Sequence, residues 1–307
     1  MDRIDEQPNC LRFNGAPAQA NTLWKYIALY YAIACGISWA LWTPAVLGQD
    51  GLKWLHIAPS FPIVASIGTI GPFAACFIAH RLQTGNWQAI RLFPRQGLRL
   101  LWLLFGPLLV LFCFFVVFSA LLSNCPPNRW HWHVEALAGL LIPMFNYNLF
   151  GGPLFEEFGW RGFLQSRLQR AMPPWTAAIC VGIMWAAWHL PLFLVKGWSS
   201  ASLLSFFLIL MGLSLVIGFA LNASGGSVIV AILMHSAFNS SPRFLGEYLS
   251  GMPTRESPPV DFLIAGSFLL VGTVLALASR GRLGVKRGAS DSEVPQARIF
   301  GSGIPPG

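Results

Sequence analysis

LLWLLFGPLLVLFCFFVVFSALL, residues Leu100–Leu122, runs from end to end without one Asp, Glu, Lys, Arg or His. A helix needs roughly 20 mainly apolar residues to cross a bilayer, and this stretch meets that length with no polar interruption of consequence. The same signature recurs at Trp24–Leu47, Phe61–Ala79, Trp175–Val195, Ala201–Leu221 and Phe262–Ser279. Two further segments are less clean. Ala136–Phe155 is uncharged but runs straight into Glu156-Glu157 and continues amphipathically to about Arg170, and Ser227–Ser241 is short with His235 near its end. Counting both, the sequence predicts an all-α polytopic membrane bundle of about eight transmembrane helices.

Composition points the same way. Of 307 residues, 55% are hydrophobic and 10% charged, where soluble proteins carry about 25% charged residues. That excludes an ordinary soluble enzyme, a disordered chain and a coiled coil. The six Cys lie at 10, 35, 76, 113, 125 and 180 with no C-x-x-C pair, so they read as small buried hydrophobes.

The net charge of +8 has a topological origin rather than a nucleic-acid partner. With the N-terminus inside, 15 of the 20 Lys and Arg fall on the inner side and 5 on the outer, as the excess of cytoplasmic Lys and Arg in membrane proteins requires. The expectation is a multi-pass cell-membrane protein with both termini cytoplasmic. Residues 1–23 would form a polar cytoplasmic segment, 24–279 the transmembrane domain and 280–307 a disordered cytoplasmic tail. His131-Trp132-His133, flanked by Arg129 and Trp130, reads as part of an aromatic interface belt rather than a metal pair.

Ionisable residues inside a membrane are costly, roughly 2.5–3.5 kcal/mol each at mid-bilayer, and persist where they line a cavity or pair with each other. Here the embedded set is small: Glu156, Glu157, Arg161, His189 and His235, with Asn239 beside them. Glu157 and Arg161 are i,i+4 neighbours and can pair, which leaves Glu156 on a different face. His235 and Asn239 share one face of the seventh span, and Trp185 stands one turn before His189 in the fifth. Gly151-Gly152-Pro153 signals a break just before the acids. No Ser-His-Asp set or G-x-S-x-G elbow occurs in the spans. A carboxylate with imidazoles suits water activation, as a general base or through a metal, and His and Asn can donate to a developing oxyanion. Amide hydrolysis fits all these parts.

These residues resemble a known family. Glu156-Glu157-Phe158-Gly159-Trp160-Arg161 matches the E-E-x-x-x-R motif of the CPBP (Abi) intramembrane proteases, which include the type II CAAX prenyl endopeptidases. Trp185-Ala186-Ala187-Trp188-His189 resembles the second motif, an aromatic residue four before a His, although Phe is usual where Trp185 stands. His235-Ser236-Ala237-Phe238-Asn239 resembles the third, H-x-x-x-N. The resemblance covers about Ala136–Asn239.

It implies an active site between the fourth, fifth and seventh spans, with Glu156 and His189 activating water. His235 and Asn239 would stabilise the oxyanion, and Glu157, Arg161 and Trp185 would give structural support. Two mechanisms follow from it, a glutamate-type one with no cofactor and a zinc one with Glu156, His189 and His235 as ligands; scarce polar partners for the His ligands favour the first. The expected partners are the lipid bilayer and a peptide or protein substrate, prenylated or membrane-associated, cleaved near the inner face. Oligomeric state is not legible. The competing readings are a proton-coupled transporter using the Glu/His cluster as a relay, and a non-proteolytic membrane adaptor.

Overall fold

The computed structural model describes residues 17–85, 97–122, 134–248 and 258–285. Among them the secondary structure is helical, with no strand. Asn21–Leu47, Phe61–Thr84, Gly97–Val117, Ser200–Ala223 and Pro259–Ala278 are each long and apolar enough to cross a membrane. Leu140–Phe150, Pro174–Trp188 and Val228–Ser241 are shorter apolar helices in the places of the other three runs. The protein is an all-α polytopic membrane bundle. Leu104, Phe105, Phe112 and Phe115 are exposed along one helix, an arrangement that suits lipid and would be an aggregation hazard in water.

Lipid offers little hydrophobic drive between helices, so close backbone approach over small residues contributes much of the packing. Helices α1 (Pro17–Leu47), α2 (Phe61–Gly68) and α3 (Ile70–Thr84) form one side. A Cβ on Gly71 would fall on the Ser38 hydroxyl of α1. Helix α4 is Trp102–Leu122.

The fourth run is divided into α5 (Val134–Phe145), α6 (Tyr147–Phe150) and α7 (Pro153–Glu157). A π-helical stretch, Phe158–Gln165, and a short α8 (Ser166–Leu168) complete it. The break falls at Gly151-Gly152, where Pro153 starts α7 with no N–H to lose. Then follow α9 (Pro174–Trp188), α10 (Leu190–Lys196), α11 (Ser200–Ala223), α12 (Val228–Tyr248) and α13 (Pro258–Ala278). Helix α11 is central: a Cβ on its Gly212 would come 2.7 Å from the Leu269 amide of α13, and one on Gly182 of α9 would come 2.6 Å from Met211 Cα.

Two runs that read as continuous in sequence are broken, each just before a proline. Pro72 has no N–H for the Gly68 carbonyl four residues back, and the Ser38 hydroxyl donates to that carbonyl instead, at 2.7 Å. The Trp175–Val195 run divides at His189, two residues before Pro191. There the Leu192 amide turns to the His189 carbonyl, and the Trp188 carbonyl it would have met accepts from Trp39 Nε1 at 2.9 Å.

The helices meet at two unlike ends. At one, Tyr26 bonds the Leu82 carbonyl, Arg167 bonds Gln83 and His80, and Asn222 bonds Gln169 and the Leu283 carbonyl. The disordered tail expected from 280 does not hold for its first six residues. Leu283 is fully buried, and the Gly281 carbonyl accepts from the Trp175 amide. The other end gathers the last residues of α1, the start of α2, the α10–α11 turn and the start of α13 around a cavity. His131, His133 and residues 1–16 and 286–307 lie outside the described residues.

Candidate active site

Two adjacent acids are placed in different surroundings by the broken fourth run. Glu157 is fully buried, and its Oε1 accepts from Arg161 Nη1 at 3.1 Å, the expected i,i+4 pair. The same oxygen accepts from His235 Nδ1 at 2.8 Å, across from α12. The sequence reading gave Glu157 only to Arg161, so its bond to His235 is new. Arg161 also donates to the Ser214 hydroxyl of α11 at 3.0 Å. Ser214 is legible in the sequence as a polar residue in an otherwise apolar span. A carboxylate only accepts, so His235 carries a proton on Nδ1 and leaves Nε2 for other work. Buried charges persist when paired and hydrogen-bonded in this way; removing one partner of such a set costs about 3–5 kcal/mol.

Glu156 faces elsewhere. Its Oε2 accepts from the indole Nε1 of Trp185 at 2.7 Å. Trp185 stands one turn before His189, yet its indole does not stack on that ring. The two ring centres are 6.3 Å apart and tilted, and the indole stands edge-on to His235 at 4.8 Å. Arg161 lies over the Trp185 ring, 4.4 Å from its centre. His189 is bound to the Trp185 backbone: its Nδ1 donates to the Trp185 carbonyl at 2.8 Å. That carbonyl is released because the His189 amide bonds Ala186 instead. A carbonyl only accepts, so the Nδ1 of His189 is protonated and, in the neutral ring, Nε2 holds the lone pair.

Glu156 and His189 line one cavity of about 760 Å³. Six Trp and Phe rings line it, Trp42, Phe61, Trp188, Phe193, Trp198 and Phe206. Trp188 and Phe206 stand edge-on to the His189 ring at 4.5 and 5.2 Å, which fixes the imidazole from two sides. Ser199, Ser202 and Asp261 add polar atoms towards the end of the bundle. This cavity extends to the end of the helices opposite Leu82 and Leu283, not to the inner end of the fourth run where the sequence reading placed cleavage. His235 is buried and Asn239 half-buried on α12; neither is among the described residues that line the cavity. Ser240, one residue on, accepts from Asn148 at 2.8 Å and so ties α12 to the broken fourth run.

With this geometry in view, the comparisons with known proteins are specific. Residues 138–241 match the family model of Rce1-like type II CAAX prenyl endopeptidases. A segment of 99 residues, 30% of the chain, is 31% identical to "CAAX prenyl protease 2" of Methanococcus maripaludis and covers 36% of that protein. The matched segment is similar to the type II CAAX prenyl endopeptidases. The alignment thus spans about a third of its curated relative. Glu156, Glu157, Arg161, Trp185, His189, His235 and Asn239 all fall within the matched segment, whereas Trp42, Phe61, Ala65, Thr69 and Asp261 of the cavity wall lie outside it.

The zinc alternative requires Glu156, His189 and His235 to converge. Among the described residues no three His, Cys, Asp or Glu side chains are grouped to hold a metal ion. Glu156 and His189 share the cavity, while His235 is turned to Glu157.

Proposed function

We propose that this chain is an intramembrane endopeptidase that hydrolyses a peptide bond with water activated by Glu156 and His189. The observation that carries the reading is that these two side chains, 33 positions apart in sequence, line one aromatic-walled cavity. Glu156 accepts a proton from the water as its oxygen attacks the carbonyl carbon, and His189 Nε2 orients that water. The carbonyl π pair moves to oxygen, giving a tetrahedral oxyanion. As the C–N bond breaks, Glu156 returns the proton to the leaving nitrogen, so the carboxylate is regenerated in each turnover. General-base assistance of this kind contributes typically 10²–10⁴-fold.

His235, through the Nε2 that Glu157 leaves free, and Asn239 are assigned to the oxyanion in this reading, which requires the bound substrate to reach past the cavity lining to α12. Glu157 and Arg161 hold His235 and the π-helical stretch in register. The substrate is CAAX-like, a prenylated or otherwise membrane-associated peptide. An isoprenyl chain is apolar and suits the Trp and Phe rings of this wall, with Glu156 and His189 in the same lining. This reading needs no resident cofactor.

The test is cleavage of a fluorogenic prenylated peptide and its unprenylated counterpart by the purified full chain. The prenylated peptide is expected to be cut, with activity lost in Glu156→Ala and retained in a strong chelator. Wild-type cleavage by Glu156→Ala would overturn the mechanism. Equal cleavage of both peptides would overturn the substrate class.

A further inference from the structure

We infer that Trp185 is a positioning residue for both water-activating groups, holding Glu156 through its indole N–H and His189 through its carbonyl. The inference rests on the proposed roles of Glu156 and His189 and adds which atom of each does the work. The ring is 1% exposed and is clamped by Arg161 over its face and His235 at its edge. Its N–H therefore has a fixed direction, and the 2.7 Å bond to Glu156 Oε2 fixes the orientation of that carboxylate. Hydrogen bonds to a charged acceptor in a water-poor site are among the strongest a side chain makes.

The opposite oxygen is left open by a second feature. A Cβ on Gly152 would come 2.7 Å from Glu156 Oε1, so glycine there keeps that side clear. The Trp185 indole holds Oε2, and we assign Oε1, beside Gly152, as the oxygen that takes the proton from water. The backbone of the same residue sets His189. With its Nδ1 held by the Trp185 carbonyl at 2.8 Å, the imidazole can accept only at Nε2. One residue therefore fixes the reactive atom of both groups. A phenylalanine at this position would keep the packing and the carbonyl but could not donate to Glu156.

The experiment removes only the N–H. Trp185 is replaced by benzothienylalanine, which keeps the two-ring shape with sulfur in place of the nitrogen, and by Phe as the genetic counterpart. In the prenylated-peptide assay kcat should fall roughly ten- to a hundredfold, as expected for loss of a hydrogen bond to a charged group. KM should stay within about twofold and thermal unfolding should be unchanged, because the interaction lost acts on the reacting carboxylate. Wild-type kcat in the isostere would overturn the inference, as would an equal loss of folded protein.

A readout independent of activity separates this inference from the proposed function. In protein labelled with ¹⁵N at the indole nitrogens, the Trp185 resonance is assigned by its absence in Trp185→Phe. It should move in Glu156→Gln, and an unmoved resonance would overturn the inference. If the wild type cleaves no peptide, the functional reading fails while this resonance still reports whether the indole holds Glu156.

Discussion

The two ends of the helix bundle use polar residues in opposite ways. At the end holding Leu82 and Leu283 they satisfy one another. Gln169 and Asn222 exchange hydrogen bonds at 3.1 and 2.9 Å, and Asn222 also reaches the Leu283 carbonyl at 2.9 Å. Arg167 is spent on Gln83 and His80. At the other end Glu156, His189, Ser199, Ser202 and Asp261 surround about 760 Å³ of space. Buried polar groups that close on each other hold helices together; those that converge on a cavity hold something else. The first end stabilises the fold, and the second is where the proposed chemistry takes place.

The sharpest way to break this contrast is His189→Ala. Cleavage of the prenylated peptide should fall by about 10²–10⁴-fold, with the unfolding temperature in detergent unchanged. A comparable loss of stability would make His189 a packing residue.

Arg161→Ala attacks the boundary between the two roles. It leaves Glu157 and His235 buried without their cation, so unfolding should show a loss of about 3–5 kcal/mol. Activity should disappear with the fold rather than ahead of it. If the variant is stable and inactive, Arg161 acts in the reaction itself.

The closed end gives a smaller effect of the opposite kind. Asn222→Leu removes the partner of Gln169 and of the Leu283 carbonyl. A loss of about 1–3 kcal/mol in stability is expected for the polar groups left behind, with kcat per folded molecule unchanged.

The least disruptive prediction concerns the sides. The cavity end and the end holding Leu82 and Leu283 lie at opposite ends of the bundle. A cysteine at Ser199 should therefore be labelled by a membrane-impermeant thiol reagent from the face opposite one at Arg282. Labelling of both from one face would contradict the arrangement of the helices.

Much of this architecture was legible in the sequence because membrane constraints are severe. Uncharged runs such as Leu100–Leu122 admit few readings, and an acid in an apolar span invites a functional explanation. Gly151-Gly152-Pro153 also announced its break. Pro72 and Pro191 carried the same kind of signal inside runs whose hydropathy was unbroken, and there the apolar pattern outweighed the proline.

The cross-helix partnerships were not legible. His235 meets Glu157 across 78 positions, and Trp185 reaches Glu156 across 29. Spacing on one helix identifies neighbours on that helix and is silent about which face meets which. The i,i+4 rule therefore found Glu157–Arg161 and missed His235 on the same oxygen. The resemblance gave Trp185 only a supporting role, although the indole N–H is what distinguishes it from the more usual Phe. The cavity itself depends on α1, α2 and α13, whose residues carry no motif, and Leu283 lies in a Gly-rich stretch whose composition pointed to disorder.

The most direct measurement pairs one substitution from each end in a single preparation, Glu156→Gln and Asn222→Leu, and determines both kcat and unfolding temperature. The expected outcome is crossed: Glu156→Gln unfolds like the wild type and does not turn over, whereas Asn222→Leu unfolds at lower temperature and turns over normally while folded. Parallel losses of stability and activity in both variants would contradict the division of labour between the two ends.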